Sequence, residues 1–166
     1  AGVYEQRDVL PVYLNAMQRR HELSRPMKVV VDCGNGAAAV AAPEALMLMG
    51  CDVVPLFLDV DGRFPNHAPD PADPDTLHDL RVTVRDVNAD LGLAFDGDGD
   101  RLGVVLPDGE LVYPDLLLKA GGAGSPLFFG EECYGFGDAT LAAARLLGLL
   151  SRYPGPAAEF FAQADL

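Results

Sequence analysis

Short apolar runs bounded by glycine, proline and polar residues recur along the chain, and they alternate with longer segments in which apolar residues are spaced by three or four positions. The short runs are typical of buried strands. The pair that flanks Asp108 and Gly109 also has the turn signal of a hairpin. The predicted strands are residues 27–31, 52–58, 89–95, 102–106 and 110–113. The pattern therefore predicts three buried strands followed by a hairpin.

Helical spacing of apolar residues predicts the elements between these strands. The predicted helices are residues 4–23, 37–49 and 75–88. Asp73 or Asp75 would cap the third helix, whereas Pro43 falls inside the second. Residues 64–74 contain four prolines, which predict a stiff, extended loop. Within that loop, His67 is interpreted as a hydrogen-bonded residue and not as a catalytic one.

The last third of the chain has a less regular pattern. Pro114 is expected to open a short helix, and the glycine-rich residues 121–125 are interpreted as a flexible linker or a splice junction. Residues 127–129 are predicted to form a strand. Asp138 is predicted to cap a helix that ends at Leu150.

An acidic loop stands between two of the predicted strands. Asp96, Asp98 and Asp100 are separated only by single glycines. Three carboxylates this close repel one another unless a cation lies between them, and glycine lets the backbone curl so that alternate carboxylates converge. Hard oxygen ligands on a tight loop suit Mg²⁺. The loop therefore predicts a divalent-metal site, with a solvated acidic turn as the alternative.

A calcium-binding EF-hand begins with the same spacing of acidic residues, but its loop also needs Gly at the sixth position and Glu at the twelfth. Counted from Asp96, those positions hold Arg101 and Pro107, so an EF-hand is excluded. Arg101 instead places a cation beside the predicted metal. Because a guanidinium group matches the oxygens of phosphate, this combination is typical of a site that holds a phosphoryl group.

Gly34, Gly36 and Ala39 have the spacing of a dinucleotide-binding turn, G-x-G-x-x-A. A single match of this kind is weak. The simpler interpretation is that the glycines allow a tight turn between a strand and a helix. A small nucleotide-binding domain nevertheless remains an alternative function.

Composition narrows the classes of partner. The net charge of −13 argues against nucleic acid, whose phosphates would be repelled, and against anionic membrane surfaces. The three cysteines have no metal-ligand spacing and are interpreted as free thiols in a reducing cytosol, which predicts a cytoplasmic protein. No apolar run reaches the roughly 18 residues that a membrane helix needs, and no signal peptide is expected.

Residues 94–105, A-F-D-G-D-G-D-R-L-G-V-V, resemble the metal-binding loop of the α-D-phosphohexomutases, specifically the bacterial phosphomannomutase/phosphoglucomutases. Three further blocks resemble the opening strand and turn of that family's second domain, its F-P-N-H-x-P-D-P segment and the end of its third domain. These blocks are residues 29–36, 61–71 and 128–147. The resemblance covers most of residues 1–151.

The resemblance implies an α/β fold with a three-layer-like mixed sheet flanked by helices and a partial second α/β unit. It divides the chain into residues 1–120 as domain 2, 121–126 as a linker or junction, 127–151 as a remnant of domain 3, and 152–166 as a disordered or loosely docked tail. Asp96, Asp98 and Asp100 would hold Mg²⁺ against a phosphoserine of another domain, and Arg101 would be a catalytic residue beside the same phosphate. The substrate of the intact enzyme would be glucose or mannose 1- or 6-phosphate.

Several family motifs are missing from this sequence. It has no phosphoserine loop of the T-A-S-H-N-P type, no loop that carries the histidine linked to acid/base work, and no phosphate-binding segment of the fourth domain. Residues 121–126 stand where the sugar-reading loop would be. We therefore expect metal binding without mutase turnover from this chain alone. A natural remnant, a proteolytic product, a designed deletion or a longer chain whose intervening segments are closed up in this numbering would each explain the pattern. An inactive binding or interaction module is the alternative function.

Overall fold

A computed structural model describes residues 2–112 and 137–164. Within them, five strands form one mixed sheet in the order β2-β1-β3-β4-β5. The strands are β1 Met27–Asp32, β2 Cys51–Leu56, β3 Leu91–Phe95, β4 Leu102–Val105 and β5 Leu111–Val112. β1 pairs in parallel with β2 and β3, whereas β3, β4 and β5 pair in antiparallel fashion. The three predicted strands and the hairpin are therefore all present.

Strands β1 and β3 lie inside the sheet and are buried on both faces. Val29 and Val31 contact the larger of two hydrophobic clusters, and Val30 between them contacts the smaller one on the opposite face. Successive side chains of a strand point to opposite faces, so a strand covered on both sides needs an apolar residue at nearly every position. This requirement explains the continuous apolar runs in the sequence.

Helices cover both faces of the sheet. They are α1 Leu10–Arg20, α2 Ala42–Leu48, α3 His78–Asp86, α4 Ala139–Arg152 and α5 Ala157–Ala164. The larger cluster contains buried residues of α1, α2 and α4, and the smaller one contains Leu80 and Val84 of α3. The expected α/β class, a mixed sheet flanked by helices, is confirmed.

The single helix predicted over residues 37–49 is wrong. A short 3-10 helix, Ala37–Val40, comes first, and α2 begins at Ala42 with Pro43 in its first turn. Proline lacks the backbone N–H, and its ring collides with the carbonyl four residues earlier, so an α-helix does not continue through it. Proline is well tolerated in a first turn, which is where a new helix starts here.

The predicted cap of α3 is also wrong. The helix begins at His78, and Leu77 at its N-cap makes no side-chain capping bond. The carboxylate of Asp73 instead accepts the amide of Asp75 at 3.0 Å. Asp73 therefore closes a turn upstream of the helix, because a short acidic side chain bonds as readily to its own local backbone as to a helix terminus.

The cap predicted for α4 is confirmed. Asp138 accepts the amide of Leu141 at 2.9 Å, and the helix runs to Arg152, two residues beyond the predicted end. Disorder, one of the two alternatives expected for the tail, is wrong for the residues of α5, because Phe161 is only 3% exposed and joins the larger cluster. Buried residues of helix α4 belong to that same cluster. The division of the chain into domains stays a prediction.

Several expectations fall outside the described residues. They concern the short helix after Pro114, the linker at 121–126 and the strand at 127–129. The structure therefore describes helix α4 of the expected partial second unit but not its strand. No helix in the described part of the chain could span a membrane.

Candidate metal centre

The acidic loop, residues 96–101, connects β3 to the antiparallel strand β4. It starts at the carboxyl end of β3, beside the carboxyl end of the parallel strand β1. Ligand sites of open α/β sheets lie at the carboxyl ends of strands, where turns from neighbouring strands meet. The fold therefore places the loop on the edge of the sheet where a ligand site is expected.

Asp96 organises the loop from within. Its side chain is buried, and its Oδ1 accepts the amides of Gly99, Asp100 and Arg101 at 3.1, 3.0 and 2.9 Å. Its Oδ2 accepts Nε of Arg101 at 2.7 Å. Burial raises the pKa of Asp96, but the hydrogen bonds from the backbone and side chain of Arg101, together with the contacts of Asp100 and Asp98, hold that pKa below its usual range. Asp96 is therefore a charged carboxylate that shapes the loop around itself.

Asp98 and Asp100 are arranged differently, because both are exposed. One carboxylate oxygen from each of Asp96, Asp98 and Asp100 can be chosen so that all three lie within 4.8 Å of one another. Ligands about 2.1 Å from one Mg²⁺ lie at most about 4.2 Å apart, so a small closure of the loop would let all three coordinate one ion. The contact with Asp96 raises the pKa of Asp100, as do burial and the charges of Asp96 and Asp98. A cation among these oxygens would relieve that repulsion.

The turn that follows β1 supports the loop from one side. The amide of Ala37 donates to the carbonyl of Gly97 at 3.0 Å. A Cβ added to Gly36 would lie 2.9 Å from that same carbonyl oxygen and 3.0 Å from the carbonyl oxygen of Asp96. Glycine at position 36 therefore allows two backbone segments to approach more closely than any side chain permits.

The proline-rich loop, residues 64–74, covers a second side. The side chains of Phe64 and Pro69 lie against Gly97, with a Cβ built on Gly97 only 3.1 and 3.3 Å from them. This loop is fixed to the end of β1 by His67, whose Nε2 lies 3.1 Å from the carboxylate of Asp32. Burial raises the pKa of Asp32, and His67 opposes that shift. His67 is thus a hydrogen-bonded loop residue, as its sequence context predicted.

The N-terminus of α4 contacts the third side. The amide of Ala139 donates to the carbonyl of Gly99 at 3.1 Å. A Cβ added to Gly137 would lie 3.2 Å from Cβ of Asp100. Residues from the segment predicted as a remnant of domain 3 therefore contact the acidic loop directly.

Arg101 lies between two carboxylates. Its Nε donates to Asp96, and its Nη1 donates to Oδ1 of Asp70 at 3.1 Å, while 53% of its side chain remains exposed. The structure brings together all four residues predicted from the sequence, Asp96, Asp98, Asp100 and Arg101. Asp70 was missed. The available signal was its position in a proline-rich loop, which limits how far an acidic side chain can move.

The turn with the G-x-G-x-x-A spacing has little capacity left to bind an anion. Its four amides, residues 34–37, donate to the carboxylate of Asp32 and to the carbonyls of Phe57, Cys33 and Gly97. A four-residue 3-10 helix follows it instead of a longer α-helix. A pyrophosphate site needs free amides at a helix N-terminus, so the geometry does not favour nucleotide binding at this turn.

Known proteins resemble this chain in sequence and in fold. The sequence model of the family described as "Phosphoglucomutase/phosphomannomutase, alpha/beta/alpha domain II" matches residues 11–109. The phosphomannomutase/phosphoglucomutase of Pseudomonas aeruginosa is 46% identical over 161 residues, which cover 93% of this chain and 33% of that protein. A crystal structure of a phosphoglucomutase/phosphomannomutase family protein from Burkholderia thailandensis superimposes with a TM-score of 0.87 at 35% identity, covering 96% of this chain and 47% of that one.

The relatives are much longer than this chain, which spans about a third to a half of their length. The match to the phosphomannomutase/phosphoglucomutase of Pseudomonas putida, 37% identical, extends over 218 aligned residues and 97% of this chain. Because that span exceeds the 166 residues of the chain, the alignment passes over residues that the relative has and this chain lacks.

Proposed function

The chain belongs to the phosphoglucomutase/phosphomannomutase family, and from that premise we propose that it is the metal-binding portion of a phosphohexomutase. Such an enzyme moves a phosphoryl group between C1 and C6 of glucose and mannose phosphates. The observation that carries the proposal is the cluster of Asp96, Asp98 and Asp100, whose oxygens converge within 4.8 Å on a loop supported from three sides.

Mg²⁺ is the proposed cofactor, held by these three carboxylates. The donor set consists of hard anionic oxygens, which Mg²⁺ prefers, and three protein ligands leave room for phosphate oxygens and water. When bound, the ion would supply positive charge that stabilises a phosphoryl group during transfer. Asp96 contributes before any ligand arrives, because its bonds to the backbone amides already hold the loop in a curled form.

Arg101 is the proposed catalytic residue. Of the five N–H donors on a guanidinium group, one binds Asp96 and one binds Asp70 within the described residues. The other three are available to oxygens of a phosphoryl group at the mouth of the loop. Fixed positive donors of this kind stabilise the charge that develops as the phosphoryl group moves.

We propose no mutase turnover for the isolated chain. The sequence has none of the family's phosphoserine, acid/base histidine or sugar-reading motifs, so the groups that attack, transfer protons and hold the sugar are missing. The phosphosugar is therefore a partner of the intact enzyme, which we place in the cytoplasm. Nucleic acid is not a proposed partner, because the net charge of −13 would repel it.

Calorimetric titration with MgCl₂ and MnCl₂ tests the metal site, with amide chemical shifts recorded for residues 96–101. We expect saturable heat and shifts confined to the loop and its three supporting segments. Absence of heat with every divalent cation would contradict the proposal. Conversion of glucose 1-phosphate in the presence of a sugar bisphosphate primer would contradict the expected inactivity, and saturable binding of NAD or ATP would favour a nucleotide-binding domain.

A further inference from the structure

We propose that Asp70 is a positioning residue, which holds the guanidinium group of Arg101 so that its unused N–H groups face the anion received by the acidic loop. This inference rests on the proposed function of the loop. It assigns a role to a residue that does not itself touch the metal cluster. The contact that suggests it joins Nη1 of Arg101 to Oδ1 of Asp70 at 3.1 Å.

Two hydrogen bonds fix the orientation of the Arg101 guanidinium group. A single bond from Nε to Asp96 fixes one atom of the guanidinium group but leaves its plane able to turn about that atom. The second bond, from Nη1 to Asp70, is made on the other side of the group and sets the plane. Within the described residues, both N–H groups of Nη2 and one of Nη1 make no hydrogen bond. These groups belong to the two terminal nitrogens of the guanidinium group, whose spacing matches the oxygens of phosphate.

Asp70 is held firmly by its neighbours. It lies between Pro69 and Pro71, whose rings limit the backbone to a narrow range. Its amide donates to the carbonyl of Ala68 at 2.8 Å, and its own carbonyl accepts the hydroxyl of Thr76 at 2.7 Å. The carboxylate is held as well, because its Oδ1 accepts the amide of Ala72 at 3.2 Å. A carboxylate held in this way loses little conformational freedom when it binds an arginine, so it orients that arginine effectively.

The side chains of Asp70 and Arg101 are 47% and 53% exposed, and an ion pair so open to water contributes little to the stability of a fold. A contact that barely stabilises the chain but fixes the direction of a phosphate-binding group acts mainly on ligand recognition. Loss of Asp70 should therefore weaken anion binding more than folding or metal binding.

The experiment compares the full 166-residue chain with Asp70→Asn and Asp70→Ala. Asp61→Asn is the matched control, because Asp61 also forms an ion pair with an arginine, Arg63, and neither residue forms a hydrogen bond or ion pair with the acidic loop in the described structure. Each protein is titrated with MgCl₂ and then, loaded with Mg²⁺, with inorganic phosphate. Nitrogen-15 spectra of the Arg101 side chain, recorded without metal, report how freely the guanidinium group rotates.

We expect both Asp70 variants to bind inorganic phosphate about tenfold more weakly, with Mg²⁺ affinity and melting temperature close to those of the unaltered chain. Rotation of the Arg101 side chain should become faster in both variants, and Asp61→Asn should change none of these quantities. Equal phosphate affinity and unchanged Arg101 spectra would overturn the proposal. An equal loss of Mg²⁺ and phosphate affinity would also overturn it, because Asp70 would then support the loop as a whole.

The design separates this proposal from that for the metal site. If the unaltered chain binds no divalent cation, the proposed function fails, yet the metal-free spectra of Arg101 still test whether Asp70 restrains it. If the chain binds Mg²⁺ but no phosphate, the proposed metal site is supported and the inference about Asp70 is overturned, because the N–H groups of Arg101 would then bind no anion.

Discussion

Two glycine-rich turns lie next to each other at the carboxyl ends of β1 and β3, and they use their polar groups in opposite ways. The turn at residues 33–37 donates the amides of residues 34–37 to acceptors within the chain. The loop at residues 96–101 leaves Asp98 and Asp100 exposed, with their charges uncompensated by any ion pair in the described structure. Glycine content is similar in both turns, so it does not identify a ligand site. The two turns differ in whether their polar groups already have partners within the chain.

The difference assigns separate roles to the two turns. The first turn is a support, because Ala37 donates to Gly97 and Gly36 allows close approach. The second concentrates negative charge, which destabilises the free loop and favours a bound cation. We therefore expect substitutions in the support to act through folding, and substitutions of the exposed carboxylates to act through metal binding.

Asp96→Ala should have the largest effect. It removes the acceptor of three backbone amides and the partner of Arg101, so the free energy of unfolding should fall by about 3 kcal/mol. Urea unfolding followed by circular dichroism measures this. Asp98→Ala is the control. A loss no greater than that of the control would show that Asp96 does not organise the loop.

Gly36→Ala should come next. The new Cβ would lie 2.9 Å from the carbonyl oxygen of Gly97, and the strain should lower the free energy of unfolding by about 2 kcal/mol. Mg²⁺ should also bind more weakly, because the loop must move away. Gly62→Ala is the matched control, since its Cβ would meet no atom within 4 Å. If the two variants unfold at the same urea concentration, the first turn is not a steric support.

Asp98→Asn should leave the free energy of unfolding within about 0.5 kcal/mol of the original value. The side chain is exposed, and loss of its charge relieves repulsion within the loop. Mg²⁺ affinity, measured by calorimetry, should nevertheless fall by more than about tenfold. Asp75→Asn, an exposed acidic residue outside the loop, controls for the change in net charge. An equal change in the two variants would contradict the metal site.

Ionisation of two buried thiols should have the smallest effect on the free energy of unfolding near neutral pH. The thiols belong to Cys33, in the first turn, and Cys51, at the start of β2. Burial raises the pKa of each thiol from 9.0 to about 12. The folded state therefore favours the protonated thiols, a contribution to stability that is fully present below pH 9 and is lost as the pH rises towards 12. At pH 8 both thiols should resist iodoacetamide in the folded chain and react after unfolding, as measured by peptide mass spectrometry. Rapid labelling of Cys33 in the folded chain would mean that the first turn is open.

Unfolding measured between pH 8 and 11 completes this test. The free energy of unfolding should decline with pH in the original chain, and it should decline less in Cys33→Ala. A parallel decline in both proteins would show that the thiol of Cys33 is not responsible.

The strands and the acidic loop could be predicted because their signals are local. A strand buried on both faces must be apolar at nearly every position, as in residues 27–31 and 91–95, and three aspartates separated by glycine are recognisable in any fold. Helix boundaries were less accurate. Pro43 divided one predicted helix, and Asp73 bonded to its own turn instead of to α3. In both cases a competing local interaction was stronger than the helical pattern.

By itself, the sequence determined the family and the α/β class, because the family's motifs and the alternation of strands and helices can be read along the chain. It also singled out Asp96, Asp98, Asp100 and Arg101, because these residues stand together in one short stretch. The tertiary structure alone decided that Asp70 lies against Arg101, that Gly36 meets the carbonyl of Gly97, and that the N-terminus of α4 contacts the loop. These partners are separated by about thirty to sixty residues in sequence. Contacts of that kind depend on how strands are ordered in the sheet and on how side chains pack at close range. Neither of these produces a periodic pattern in the sequence.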